Sequence, residues 1–162
     1  MSQTVLFPGT FDPITHGHIN LIERISHIFD HVIVAIAGDA SVGKTPLFDL
    51  SERQALAKIV LEKYKNVEVI AFHGLTINCA LTHGARAIVR GVRSSSDLAY
   101  EQELAAMNYH LEPSVETVFL TPTAKYFHIS ASLVRQIAQL QGNISQLVPE
   151  HVAKALQRKF SN

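Results

Sequence analysis

The chain has 162 residues, 14 basic and 14 acidic side chains, and one cysteine. That length suits a single domain over residues 1–162 and lets roughly 70% of the extended surface be buried. The charge balance excludes a sequence-independent grip on nucleic acid, lone Cys79 excludes an internal disulfide, and no apolar run reaches the ~18 residues of a membrane span.

The expected setting is therefore a soluble, cytoplasmic protein in a reducing compartment, with no partner nucleic acid and no membrane. The opening "MSQTVLFPG" lacks the basic start and long apolar run of a secretory leader. Nine histidines imply a net charge that climbs below about pH 6.5.

The first apolar run, residues 4–9 ("TVLFPG"), reads as a short strand stopped by Pro-Gly. "FDPITHGHINLIERI" follows. Ile19, Ile22, Ile25 and Phe29 make an apolar helical stripe. Thr15 is placed to cap that helix, with His18 in its first turn beside the positive end of the helix dipole. Two histidines without a carboxylate or thiolate cluster make a poor zinc site, so no protein-bound metal is expected.

Residues 31–38 ("HVIVAIAG") are continuous and β-branched, as in a strand covered on both faces. "GDASVGKT" then fits the P-loop expression. Its context does not: Pro46 follows at once, the next helix start reads at Ser51 with Gln54 completing a capping box, and no later strand ends in aspartate. On its own Lys44 reads first as a solvated loop lysine and second as a phosphate contact, in either case outside a P-loop.

Strands are predicted over 67–72, 85–91 and 115–121, with helices over 76–82, 98–111, 130–140 and 149–160. Leu104, Met107 and Leu111 align on the 98–111 helix. The alternation predicts an α/β domain with a doubly wound five-stranded parallel sheet, whose ligands sit beyond the carboxyl ends of the strands. "THGH" and "ISAS" both open helices there. Lys44, Arg90 and Arg93 leave strands at the same end, an arrangement suited to a polyphosphate.

"PGTFDPITHGH", "VRGVR", "YEQELAAMN" and "ISASLVR", in this order and spanning nearly the whole chain, resemble the bacterial phosphopantetheine adenylyltransferases. These are nucleotidyltransferases with a Rossmann-like fold. The resemblance implies adenylyl transfer from ATP to 4′-phosphopantetheine, giving dephospho-coenzyme A and pyrophosphate. It implies Thr10, His18 and Lys44 as catalytic, and Thr10, Lys44, Thr76, Arg90 and Asn108 at the acceptor substrate. ATP contacts would come from Thr10, Phe11, His18, Gly91, Val92, Arg93, Glu101, Tyr126, Phe127, His128, Ile129, Ser130, Ala131 and Ser132. It further implies Mg²⁺ entering with ATP, a homohexamer, and feedback by coenzyme A. Other transferases of the superfamily, using CTP or a nicotinate-type acceptor, and a non-catalytic nucleotide sensor remain as alternatives. In this chain Phe7 stands for a usual tyrosine, His16 for a common asparagine, Ala131 for a serine and Thr76 for a larger apolar residue, and the loop before Lys44 is longer than usual.

Overall fold

The computed structural model describes residues 3–39 and 45–161. Among them, five strands pair in parallel in the order β3-β2-β1-β4-β5. They are β1 (Thr4–Gly9), β2 (His31–Ala37), β3 (Val67–Phe72), β4 (Ala87–Gly91) and β5 (Glu116–Leu120). The helices are α1 (His16–Ser26), α2 (Leu50–Leu61), α3 (Thr76–Thr82), α4 (Ser95–Leu111), α5 (Ala131–Gln139) and α6 (Glu150–Phe160), with a single 3₁₀ turn at Ala124–Tyr126. The predicted α/β doubly wound sheet is what forms.

Side-chain alternation along the strands supplies two cores. Val5, Phe7, Val34, Ile36 and Val89 pack on one face with residues of α1, α2, α5 and α6. Leu6, Ile33, Ala35 and Ile88 pack on the other with Ile77 and Ala80 of α3. Covering both faces explains why the strands read as unbroken apolar runs.

The sheet winds outward in both directions from β1 and β4, which makes their carboxyl ends the switch point. β1 pairs with β2 along six residues, but with β4 only at Val5 and Leu6. The Pro8 carbonyl faces β4, where it accepts from Arg90 Nη1 at 3.1 Å. Its nitrogen, on the same edge, has no hydrogen to donate. The two strands part, and a crevice opens between them.

Several element ends differ from the sequence reading. β4 begins at Ala87 because the Ala85 N–H closes the end of α3 on Ala80. β5 begins at Glu116 because the Val115 N–H turns back to Glu112. β2 ends at Ala37. The α2 cap is Asp49 with Glu52, in place of Ser51 with Gln54. The Ser51 hydroxyl donates to Asp49 at 2.7 Å, leaving the carboxylate to face the helix N–H groups, which suits the positive dipole end. α4 starts at Ser95, capped by Ser94, within a serine run that hides the boundary. α5 starts at Ala131 and ends at Gln139, with Ser130 as cap. The aligned residues Leu104, Met107 and Leu111 of α4 are exposed and pack in neither core.

Arg53 of α2 is 2% exposed. Its guanidinium donates to Phe48 O (3.1 Å), Thr10 O (2.8 Å) and Ala37 O (2.8 Å). One cation thereby ties the ends of β1 and β2 to the chain entering α2. Arg53→Met should leave one buried and two part-buried carbonyls short of donors and cost about 2–4 kcal/mol in urea denaturation, with Arg53→Lys recovering part of the loss.

Candidate active site

Thr15 is buried, and its hydroxyl accepts from the His18 N–H at 3.4 Å. In return the Thr15 N–H donates to His18 Nδ1 at 3.0 Å. This closes a capping box with histidine in the role usually taken by a glutamate or glutamine. A backbone N–H can only donate, so Nδ1 must accept, and the neutral ring carries its proton on Nε2. Local helix chemistry thus sets the tautomer of the candidate catalytic residue.

The ring packs on Phe11 at 4.9 Å between centroids. Phe11 holds φ at +49°, unusual for an aromatic residue and consistent with strain maintained at a working site. Gly9 accommodates that ring: a Cβ there would lie 3.0 Å from Phe11 Cε2. The glycine that ends β1 therefore admits a side chain of the protein itself. Burial, and then the positive charge of Arg93, push the His18 pKa down to about 4. The imidazole is neutral at physiological pH and offers an Nε2–H donor.

Two lobes meet at Phe11, His18, Ala131 and Ser132. The first, about 270 Å³, lies in the β1–β4 crevice and is also lined by Arg90, Gly91, Arg93, Tyr126, Ile129 and Ser130. The second, about 310 Å³, is lined by Thr10, Asp12, Asp39, Thr45, Pro46 and Arg135. At their junction α5 begins. Ser130 caps it, accepting from Leu133 N at 3.2 Å, so the first N–H groups, those of Ala131 and Ser132, have no intrahelical partner. A helix N-terminus aimed at a junction between two lobes is an anion seat. The serine-to-alanine departure at Ala131 leaves this backbone donor in place. At α1, by contrast, the His16 N–H is taken by Leu147 O at 3.0 Å, so that terminus presents fewer donors than the sequence reading expects.

Arg90 is held by Glu101 in a two-point pair, Nε–Oε2 2.7 Å and Nη2–Oε1 2.8 Å. Glu101 is 8% exposed and shapes the arginine from behind, while also lining an open shelf with Gly91 and Arg93. Arg93 reaches Ile129 O at 3.3 Å. Val92 is buried, its N–H on Leu120 O, and lines neither lobe. Phe127 and His128 are exposed beyond the 3₁₀ turn and line neither lobe. Thr76 and Asn108 likewise lie outside both. Lys44 lies outside the described residues; Thr45, its neighbour in sequence, lines the second lobe.

Among the charged residues of the lobes, Asp12, Asp39 and Arg135 escaped the site reading of the sequence. Arg135 stands one helical turn after Ala131 and donates to Asp12 O at 2.6 Å. The buried Asp12 carboxylate accepts from Leu47 N and Phe48 N, both at 2.9 Å. The spacing Ala131 to Arg135 puts both on one helix face, a clue that "ISASLVR" contained.

The depressed His18 pKa has a thermodynamic consequence. The unfolded chain protonates this ring near 6.5 and the folded chain only near 4. Between those values the unfolded state holds the extra proton, so His18 makes stability fall as pH drops from about 6.5 to 4. His18→Gln should flatten that part of the profile in denaturation at pH 7 and pH 5. In the parent, the His18 ring NMR shifts should not titrate above pH 5.

A family model described as cytidylyltransferase-like matches residues 6–137. A phosphopantetheine adenylyltransferase of Methylococcus capsulatus is 50% identical over 161 residues, covering 99% of this chain and 98% of its own. Proteins of the same name from Methylobacillus flagellatus (50% over 162 residues; 99% and 100% covered) and Thermomicrobium roseum (48% over 161; 99% and 96%) agree. A solved structure from Vibrio parahaemolyticus, assigned as a nicotinate-nucleotide adenylyltransferase, superposes with a TM-score of 0.73 over 100% of this chain and 98% of that one. Its 16% identity speaks for the fold alone. Identity near one half, end to end, over a switch-point crevice with a capped histidine and a helix-terminal anion seat, leads to one conclusion: the chain is an enzyme of the phosphopantetheine adenylyltransferase family.

Proposed function

We propose that this chain performs the reaction its family is named for, with ATP in the first lobe and the acceptor phosphate in the second. Adenylyl passes from ATP to 4′-phosphopantetheine, and dephospho-coenzyme A and pyrophosphate are formed. The observation that carries the reading is the meeting of two lobes of similar volume at His18 and the α5 N-terminus.

An oxygen of the acceptor phosphate attacks the α-phosphorus. The bond from that phosphorus to the bridging oxygen breaks, and its electron pair leaves with pyrophosphate. The nucleophile is already anionic near neutral pH, so no general base is needed. Catalysis rests on alignment and on donors matched to growing charge. His18 contributes Nε2–H, Thr10 its hydroxyl, Lys44 its ammonium, and Ala131 and Ser132 their backbone N–H groups. Gly91, Arg93, Tyr126 and Ile129 shape the nucleotide lobe, with Val92, Phe127 and His128 adjoining it; Arg90, braced by Glu101, lines the same lobe and is assigned to the acceptor substrate. Thr76 and Asn108 are assigned to the extended arm of the acceptor, beyond the lobes.

Mg²⁺ bound to the ATP phosphates would supply neutralisation of their charge. The described residues contain no group of three or more His, Cys, Asp or Glu side chains that would cage it, so phosphate oxygens and water supply most of its ligands. A homohexamer is proposed, supported by the exposed apolar stripe Leu104, Met107 and Leu111 on α4 and by exposed Val118 on edge strand β5. Coenzyme A, which carries both halves of the product, is proposed as a feedback ligand of the same lobes. A cytoplasmic site is proposed for the enzyme; no helix of the described residues is long and apolar enough to cross a membrane.

Pyrophosphate release with ATP, Mg²⁺ and 4′-phosphopantetheine tests the reading. Release only with CTP or with a nicotinate-type acceptor overturns it, as does ATP binding without turnover. His18→Ala should lower kcat about a hundredfold, roughly 3 kcal/mol, in a folded enzyme. Lys44→Ala should lower kcat by a similar order while changing the Kd for ATP only about threefold, because its charge matters most as two phosphates close. In analytical ultracentrifugation the parent should sediment as six chains of 17.9 kDa.

A further inference from the structure

Asp39 follows β2 on the wall of the second lobe, beside Thr10, Thr45 and Arg135. A carboxylate there opposes an anionic ligand unless it is turned aside or neutralised. Its two oxygens are both engaged. One lies 3.0 Å from His73 Nδ1, and the other accepts the Gly74 N–H. Both donors belong to the turn between β3 and α3, where Gly74 takes φ of +82°, a conformation open to glycine.

The packing under this pair is equally specific. The His73 ring sits over Gly38, where an added Cβ would fall 2.3 Å from ring Cε1. The Gly38 N–H donates to Phe72 O at 2.7 Å, carrying the β2–β3 ladder one residue past the strands, up to Asp39. The hydrogen bond from Gly74, then that from His73, hold the Asp39 carboxyl below the usual carboxylate range, so it stays charged. Both side chains are solvent-exposed, and an isolated pair of this kind contributes little stability. Its value lies in where it points a charge.

We infer that His73 and Asp39 are a positioning pair for the acceptor lobe: His73, with the Gly74 N–H, draws the Asp39 carboxylate onto the β3–α3 turn, so the anionic acceptor meets the lobe's donors and Arg135 instead of a free carboxylate. The inference rests on the assignment of the second lobe to the acceptor. It ties the lobe's β2 edge to the turn from which Thr76 begins α3.

The test measures acceptor KM, kcat and the Kd for ATP in His73→Ala, His73→Asn and the double variant His73→Ala with Asp39→Asn, after confirming parental urea midpoints. His73→Ala should raise acceptor KM about fivefold, the scale of one exposed ion pair, with the ATP Kd unchanged. His73→Asn carries an amide N–H close to the position of Nδ1 and should keep acceptor KM near the parent. In the double variant the neutral amide no longer repels the acceptor, so KM should return toward the parental value. An unchanged KM in His73→Ala overturns the inference. So does an equal rise in acceptor KM and ATP Kd, or a double variant no better than His73→Ala. The parent's turnover with 4′-phosphopantetheine tests the lobe assignment separately. The variant-to-parent KM ratio tests the pair with whichever anionic acceptor the parent uses.

Discussion

A β-strand in the middle of a sheet has two edges to satisfy, and β1 stops using one of them after Leu6. Pro8 brings the ladder to β4 to an end because it has no N–H on that edge. The freed Pro8 carbonyl is taken by the Arg90 guanidinium, itself gripped by the buried Glu101. That substitution of a side-chain cation for a backbone rung separates the strands without leaving a buried carbonyl unpaired. Everything that follows, from the crevice to the placement of His18 at its mouth, depends on it.

Around this opening, charge is handled mainly through backbone. Arg53 is buried on three carbonyls, and Asp12 on two N–H groups. Each ion fixes chain segments that come from different strands, so the loops beyond β1 and β2 enter the site at set angles. The same economy governs His18, whose Nδ1 is committed to the Thr15 N–H and whose Nε2 is thereby left as a donor. A ring kept neutral by burial and by Arg93 can sit beside cations without repelling them. It can still donate a hydrogen bond to a phosphate.

The α4 helix shows the limit of reading helical periodicity. Its apolar residues repeat with helical spacing, which in a water-soluble domain ordinarily marks a core face. Here Glu101 is buried toward Arg90, while Leu104, Met107 and Leu111 face outward. Periodicity marks an apolar helix face; it does not report which way that face points once the helix has packed.

Much was legible in the one-dimensional pattern. The strand–helix alternation, the cap at Thr15, and the clustering of "THGH", Arg90 and "ISAS" at strand carboxyl ends follow from local rules: period, propensity and capping chemistry. The sequence argument against a P-loop in "GDASVGKT", that Pro46 follows and no helix opens at Thr45, agrees with α2 beginning only at Leu50. Tertiary structure decided the rest. Two capping patterns overlap before α2, and the choice of Asp49 over Ser51 turns on a hydrogen bond between them. Val92 falls in a motif with lobe-lining neighbours yet is buried just beyond β4, its N–H on Leu120 O, and lines neither lobe. Arg135, Asp12 and Asp39 join the site from segments far apart in sequence. No local rule brings a charge from residue 135 to a carbonyl at residue 12, because that contact exists only once the sheet has set the distances between chain ends.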